Sequence, residues 1–381
     1  MKQSLFTVAA IGLLAISCGV APVLPAVQST ATRAWEITET ALPPTAEAPA
    51  ESPALDVRVG YAMDGGWYQL FFTNPANQAA DSMQGGPDGP LAAAIDAAHS
   101  TVDAAIYSLT LDTVTHALIR AHTRGVQVRV VMESDNIDAD DPQALKDAGI
   151  PLIGDRSQGL MHNKFMIVDG AEVWTGSMNF TKAGTYWDNN NLIRIMSPQL
   201  AQDYETEFEE MFTDDHFGPD RGRPTPRPHI AVDGTPVDVY FSPDDHVQTA
   251  LLKLVRGARS SIYFLAYTFT SDPLSSAIQE RAAAGVTVSG VMDADQVKTT
   301  VGAEFDTLRA AGLDVRLDGG AGLMHHKVFI IDGQTVVTGS YNFTASADRS
   351  NDENVLVIHS PEIASQYLDE FRRVYGAAPA P

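Results

Sequence analysis

The 381-residue chain contains a single cysteine, Cys18, so it cannot form a disulfide within itself. No stretch approaches 18 consecutive apolar residues, so none reads as a membrane-spanning helix. Positive charge is scarce: 25 Lys and Arg stand against 48 Asp and Glu, for a net charge of -23. Duplex binding depends on Lys and Arg neutralising phosphates, so a broad nucleic-acid surface is excluded, although a small basic site is not. No His, Cys, Asp and Glu cluster has the spacing of a metal centre, and no cofactor motif is present; the expected cofactor and metal set is none. With 44% hydrophobic residues, the chain can still bury a large core.

What is present begins with a targeting pattern. Lys2 precedes an apolar run over residues 5–16 that ends in Ala15-Ile16-Ser17-Cys18-Gly19. This resembles a bacterial lipoprotein signal, which implies cleavage before Cys18 and its lipidation; an ordinary secretory signal is the alternative. Residues 19–55 carry Pro22, Pro25, Pro43, Pro44, Pro49 and Pro53 among Ala, Thr, Ser and Glu, a composition that reads as a flexible tether. The expected location is outside the cytoplasm, anchored to the cell envelope or secreted.

The rest of the chain is a duplication. Residues 159–212 align with 322–375 at a constant offset of 163, with 23 identities in 54 positions. Upstream the offset becomes 160, placing Arg124-Gly125-Val126 over Ala284-Gly285-Val286. Each copy shows apolar strands alternating with helical periodicity. Strands are expected at 102–109, 126–132, 165–168, 172–175 and 192–196, and helices at 114–123, 144–148 and 198–212. The second copy repeats this with strands at 262–269, 286–292, 328–331, 335–338 and 355–359 and helices at 274–283, 305–311 and 361–375. The fold class is therefore α/β: two duplicated α/β/α sandwich halves related by a pseudo-two-fold. The boundaries are a signal segment over 1–18, a tether over 19–55, a first half over 56–218, a linker over 219–235 and a second half over 236–377. The linker's arginines read as solvated, with contact to an anionic phosphate as the alternative.

The most strongly repeated stretches are GLMHNKFMIVDGAEVWTGSMNFT and GLMHHKVFIIDGQTVVTGSYNFT. In each, a His and a Lys two apart share one face of a strand. An Asp-Gly turn follows, then Gly-Ser-x-Asn after the next strand. Such a set suits a tetrahedral anion: the Lys, Ser and Asn donors can hold its non-bridging oxygens. Hydrolysis of a phosphodiester by covalent catalysis needs one group to attack phosphorus and another to handle the leaving group's proton. One copy supplies one His. Two copies facing each other supply both, and that explains the doubling.

These residues resemble the phospholipase D superfamily, whose HxKx4Dx6GSxN pattern occurs here twice: His162, Lys164, Asp169, Gly176, Ser177 and Asn179, then His325, Lys327, Asp332, Gly339, Ser340 and Asn342. The likeness extends over about residues 58–376. It implies one composite, metal-independent site with a phosphohistidine intermediate, in which His162 attacks and His325 protonates the leaving group. Near-symmetry makes the two roles exchangeable. Catalytic contacts fall to His162, Lys164, Asn179, His325, Lys327 and Asn342. Supporting roles fall to Asp169, Ser177, Asn190, Asp332, Ser340 and Glu353. Within each copy, Glu353 lies 28 residues after His325 and Asn190 lies 28 after His162, so Glu353 is expected to partner His325, and Asn190 to orient His162. Asp169 and Asp332 read as turn residues. His326 and the seven histidines outside the motifs read as mostly surface residues.

The superfamily includes phospholipases, synthases, phosphatidyltransferases and nucleases. The acidic balance and the anchor favour a phospholipase that releases the head-group alcohol, working as a monomer at a membrane surface. An extracytoplasmic nuclease is the alternative; its groove would have to be built from Arg120, Arg124, Arg129, Arg156 and Lys182. A non-catalytic binder of phosphate or lipid is the other class. Trp67, Tyr68, Phe71, Phe72, Trp174, Trp187 and Phe269 read mostly as core, with acyl-chain contact as the alternative.

Overall fold

In the first half, eight strands form one sheet: β1 (Tyr61–Asp64), β2 (Tyr68–Phe72), β3 (Thr101–Ile106), β4 (Gln127–Met132), β5 (Leu152–Gly154), β6 (Lys164–Val168), β7 (Glu172–Gly176) and β8 (Asn191–Met196), in the order β1-β2-β8-β7-β6-β3-β4-β5. The second sheet has β9 (His229–Val232), β10 (Thr235–Ser242), β11 (Ser261–Ala266), β12 (Thr287–Met292), β13 (Asp314–Leu317), β14 (Lys327–Ile331), β15 (Thr335–Gly339) and β16 (Glu353–Ile358). Its order is β9-β10-β16-β15-β14-β11-β12-β13, the first topology with every number raised by eight. The structure is a computed structural model that describes residues 55, 57–219, 222–320 and 322–379. These all lie in one compact unit, Glu39–Pro381. The expected signal, Cys18 and nearly all of the tether fall outside the described residues.

Each half carries three longer helices: α1 (Asp88–Ala97), α2 (Asp112–Thr123) and α3 (Pro198–Phe212), then α4 (Val247–Gly257), α5 (Asp272–Ala283) and α6 (Pro361–Ala377). The outer face of the first sheet packs on α1 and α2 through Leu91, Ile95, Val114 and Leu118. The outer face of the second packs on α4 and α5 through Val247, Leu251, Leu274 and Ile278. The inner faces share a single core. There Leu200, Tyr204 and Phe208 of α3 and Ile363, Tyr367 and Phe371 of α6 lie among residues of both sheets, such as Phe165 and Val328. The two expected sandwiches are thus fused through a common layer of helices, which fixes one half against the other.

The local chemistry explains the hairpins. Asp169 (φ 54°) and Gly170 (φ 59°) are the central pair of the turn between β6 and β7, closed by Ala171 N donating to Val168 O at 3.0 Å, and Asp332 (φ 55°) and Gly333 (φ 62°) repeat it between β14 and β15. A turn with both central residues at positive φ matches the strand twist, and Asp-Gly suits it. Gly176 closes β7, where an added Cβ would lie 2.4 Å from the Asn191 carbonyl oxygen; at Gly339 the distance to the Asn354 oxygen would be 2.2 Å. Only glycine lets the chain approach that closely.

Part of the expected linker is ordered as sheet: His229–Val232 forms β9, paired antiparallel with β10. The short helix read at 144–148 starts earlier, at Asp140–Asp147. The strand read at 102–109 ends at Ile106, leaving Tyr107 free to turn its ring toward the motif.

Candidate active site

The two motif loops are stitched to the opposite half by main chain. His162 N donates to Asp352 O at 3.0 Å, and Asp352 N donates to Leu160 O at 2.9 Å. At the related position, His325 N donates to Asn189 O at 2.9 Å, and Asn189 N donates to Leu323 O at 2.7 Å. These bridges precede the strands, so His162 and His325 stand just ahead of β6 and β14 rather than within them.

This stitching corrects the expected pairing of the histidines. Glu353 follows Asp352 and therefore meets His162: His162 Nδ1–H donates to Glu353 Oε2 at 2.7 Å. Asn190 follows Asn189 and meets His325: Nδ1–H donates to Asn190 Oδ1 at 2.9 Å and lies 3.0 Å from Ser177 O. Both partners come from the other half. The spacing of 28 within each copy places the residues correctly but assigns them to the wrong histidine, because the supporting residue crosses the pseudo-two-fold. Ser340 Oγ donates to Glu353 Oε2 at 2.7 Å, and Ser177 Oγ donates to Asn190 Oδ1 at 2.9 Å. The serine hydroxyls are therefore committed to the supporting residues and are not direct donors to an anion. Asn190 Nδ2 donates to Gly184 O at 3.0 Å, which fixes its oxygen toward His325.

With Nδ1 held as a donor in each ring, Nε2 of both histidines makes no hydrogen bond among the described residues. Lys164 Nζ donates to His162 O at 2.6 Å and sits 4.8 Å from the centre of the Tyr107 ring. Lys327 Nζ donates to His325 O at 2.8 Å and sits 4.7 Å from the Tyr267 ring. The same tyrosines meet the imidazoles edge to face, at 4.8 Å for Tyr107–His162 and 4.5 Å for Tyr267–His325. Tyr107 and Tyr267 were missed in the sequence; their repetition at the upstream offset of 160 was the available signal. Glu133 and Asp293, related by the same offset, brace the loops by accepting from Met161 N at 2.9 Å and Met324 N at 3.0 Å.

Burial opposes charge on every one of these groups. It pushes His162 down to about 4, with Glu353 pulling up and Lys164 pushing further down. It lowers Lys164 to about 7, with Glu353 pulling up. His325 is pushed well below the usual histidine value, first by burial and then by Lys327, Lys164 and His162. Lys327 is lowered by burial and by Lys164. Lys164 and Lys327 both lower each imidazole, so the four groups share one space, and a single anion there would offset the cost of their charge. Among the described residues, the buried Oδ1 atoms of Asn179 and Asn342 have no hydrogen-bond partner, so each amide can turn Nδ2 toward a bound oxygen.

Asp169 and Asp332 lie at the far ends of β6 and β14, about 16 Å of strand from the lysines. Asp169 accepts from the backbone N–H groups of His99, Ser100 and Thr101 and from Ser100 Oγ. Asp332 does the same with Arg259, Ser260 and Ser261. Their contribution is to strand ends, not to the site. His326 is not a surface residue: it is fully buried between the halves, donating from Nε2 to Glu370 at 2.8 Å and accepting at Nδ1 from Asn191 at 3.1 Å. Among the described residues, no group of three or more His, Cys, Asp and Glu could hold a metal ion.

The candidate groove cations are spent on the fold. Arg120 and Arg124 pair with Asp96, Arg129 with Asp103, Glu205 and Glu209, Arg156 with Asp215, and Lys182 with Asp112. Arg223 pairs with Asp214 and Arg227 with Asp203; Arg221 lies outside the described residues. Of the aromatics read as core, Tyr68, Phe71, Phe72, Trp174 and Phe269 are buried and Trp67 packs against the shared core, whereas Trp187 is 48% exposed.

A family model described as "Cardiolipin synthase, PLD-like domain" matches residues 91–212 and again 251–375. A phospholipase D of Rickettsia bellii is 33% identical over 175 residues, covering 44% of this chain and 83% of that protein. A mitochondrial cardiolipin hydrolase of Mus musculus is 37% identical over 133 residues, covering 34% of this chain and 60% of that protein's length. Among solved structures, the phosphatidylserine synthase of Haemophilus influenzae is similar in fold, with a TM-score of 0.59 over 86% of this chain and 88% of that one, at 13% identity. The chain therefore belongs to the phospholipase D-like family and carries the family's domain twice.

Proposed function

We propose that the protein is a metal-independent phosphodiesterase that hydrolyses phospholipids to phosphatidate and a free head-group alcohol. The observation that carries this reading is the crossed pairing of the two imidazoles, which holds each Nδ1 as a donor and leaves both Nε2 atoms and two lysines for one phosphate. His162 Nε2 attacks phosphorus while His325, protonated at Nε2 under the influence of the bound phosphate, gives its proton to the leaving oxygen. A phosphohistidine and the free alcohol result. Neutral His325 then takes a proton from water as the water oxygen attacks phosphorus; the P–N bond breaks, and phosphatidate leaves. Lys164, Lys327, Asn179 and Asn342 hold the non-bridging oxygens throughout. Glu353 stabilises the positive charge that His162 carries in the intermediate, so His162 is the better nucleophile.

The lipid assignment rests on two supports. The described cations that could have lined a nucleic-acid groove are paired with carboxylates, and relatives named phospholipase D and cardiolipin hydrolase align with this chain. We place the protein at the cell envelope, anchored through Cys18. Full-length protein should release choline from phosphatidylcholine micelles in the presence of chelator, and His162→Ala should not. Cleavage of single-stranded DNA without choline release would move the activity to the nuclease branch. Mass spectrometry of the mature N-terminus should find acylated Cys18; an unlipidated start beyond it would remove the anchor.

A further inference from the structure

We infer that Arg373 is a positioning residue for His325, acting through Asn189. This rests on the phosphodiesterase reading above and extends it. Arg373 lies on α6, away from the motifs. Its Nη2 donates to Asn189 Oδ1 at 2.6 Å and to Glu370 Oε1 at 2.6 Å, and its Nε donates to Glu370 Oε2 at 2.8 Å. Nη1 reaches Asn74 Oδ1 at 3.2 Å. Glu370 is itself held by His326 and by the Tyr61 hydroxyl at 3.0 Å. Asn189 is the residue whose carbonyl accepts from His325 N, and its neighbour Asn190 supplies the acceptor for His325 Nδ1. The guanidinium therefore clamps the two-residue segment that sets both the main-chain position and the ring orientation of His325.

The related half shows that the fold does not demand this clamp. Residue 210, at the offset of 163, is Glu, and residue 352, opposite Asn189, is Asp. Glu210 Oε1 accepts from Arg223 N and makes no hydrogen bond to Asp352. Asp352 is held instead by Gly218 N on Oδ1, at 2.6 Å, and its Oδ2 is buried without a partner. The same helix position is thus an arginine only beside the histidine that must both give and take a proton. A fixed carboxylate holds His162; His325 has only neutral acceptors, so its orientation depends on how firmly their segment is held.

A leaving-group test separates this role from a merely structural one. An aryl diester such as bis(p-nitrophenyl) phosphate expels a good leaving group without proton donation, while phosphatidylcholine needs it. Arg373→Gln should lower choline release by about tenfold or more, a part of the usual acid–base contribution. It should leave the initial burst of p-nitrophenol unchanged and slow the steady state that follows, because His325 also activates water. Asn189→Ala keeps the Arg373–Glu370 pair and should give the same pattern, and Arg373→Lys should recover part of the loss. An equal fall in burst and in choline release, with either variant folded, would overturn the role of Arg373 while leaving the phosphodiesterase reading intact. Wild-type silence on both substrates would sink that reading and this one with it.

Discussion

Around His162 the opposite half contributes Asp352 and Glu353, with Glu207 of the same half as His162 beside Asp352; around His325 the opposite half contributes Asn189 and Asn190, with Arg373 of the same half as His325 holding Asn189. Burial and neighbouring carboxylates hold Asp352 and Glu207 well above the usual carboxylate range. Around His325 the charges are balanced: Glu370 is kept low by Arg373 and His326 against the cost of burial. Two half-sites built by one duplication thus keep the same main-chain stitching and the same His and Lys placement but differ in charge. On the proposed mechanism the shared geometry serves binding and the charge difference serves the two distinct proton roles.

The comparison breaks most simply at the histidines. His162→Ala and His325→Ala should each lower kcat by about a thousandfold or more, since each removes an entire catalytic role. If each variant kept half the activity, the halves would be independent sites. Next in size, Glu353→Gln should cost about a hundredfold by removing the charge that stabilises the phosphorylated ring. Asn190→Asp should cost less, because a carboxylate still accepts from His325 Nδ1. Equal losses in steady-state rate would mean that the charge difference has no role.

The pH profile of kcat/KM sharpens the same point. His162 must be neutral to attack, so activity is present above its pKa and falls below about pH 4. Lys164 must be charged to hold phosphate and His325 must be charged to protonate the leaving group, so activity is lost as pH rises through the depressed His325 pKa, with about pH 7, where Lys164 loses its proton, as the upper bound. Glu353 raises His162, so Glu353→Gln should move the acid limb to lower pH; an alkaline rise in the wild type would contradict the assignment. The smallest effect on rate belongs to the turn residues. Asp169→Ala and Asp332→Ala should each cost about 2 kcal/mol of stability by removing charge-assisted bonds, with kcat unchanged. Thermal melts and turnover measured together would show a departure.

The strands that carry the motifs were legible because they are apolar, buried on both sides and fixed by Asp-Gly turns. The helix Pro198–Phe212 was legible from its periodicity, and the structure shows Ser197 capping it. The outer strands β1, β2, β9 and β10 were not: β1, β2 and β9 are short, Gly66 separates β1 from β2, and Pro236 interrupts the pattern of β10. Helix α1 is Ala-rich, with Gly89 and Pro90 near its start, and so shows little apolar contrast. All the groups placed in catalysis were visible, since repetition marks them. Their partnership was not, because sequence spacing orders residues along one copy and says nothing of which half closes on which. His326 shows the same limit: a polar residue beside a motif looks exposed until Phe72 and Asn191 of the first sheet and Glu370 of α6 cover it.

The most direct test is to trap and locate the covalent intermediate. His325→Ala, mixed rapidly with bis(p-nitrophenyl) phosphate and quenched, should release one burst of p-nitrophenol and carry the phosphoryl group on His162, mapped by tandem mass spectrometry. A group found elsewhere, or a burst that persists in His162→Ala, would contradict a single composite site in which His162 is the nucleophile.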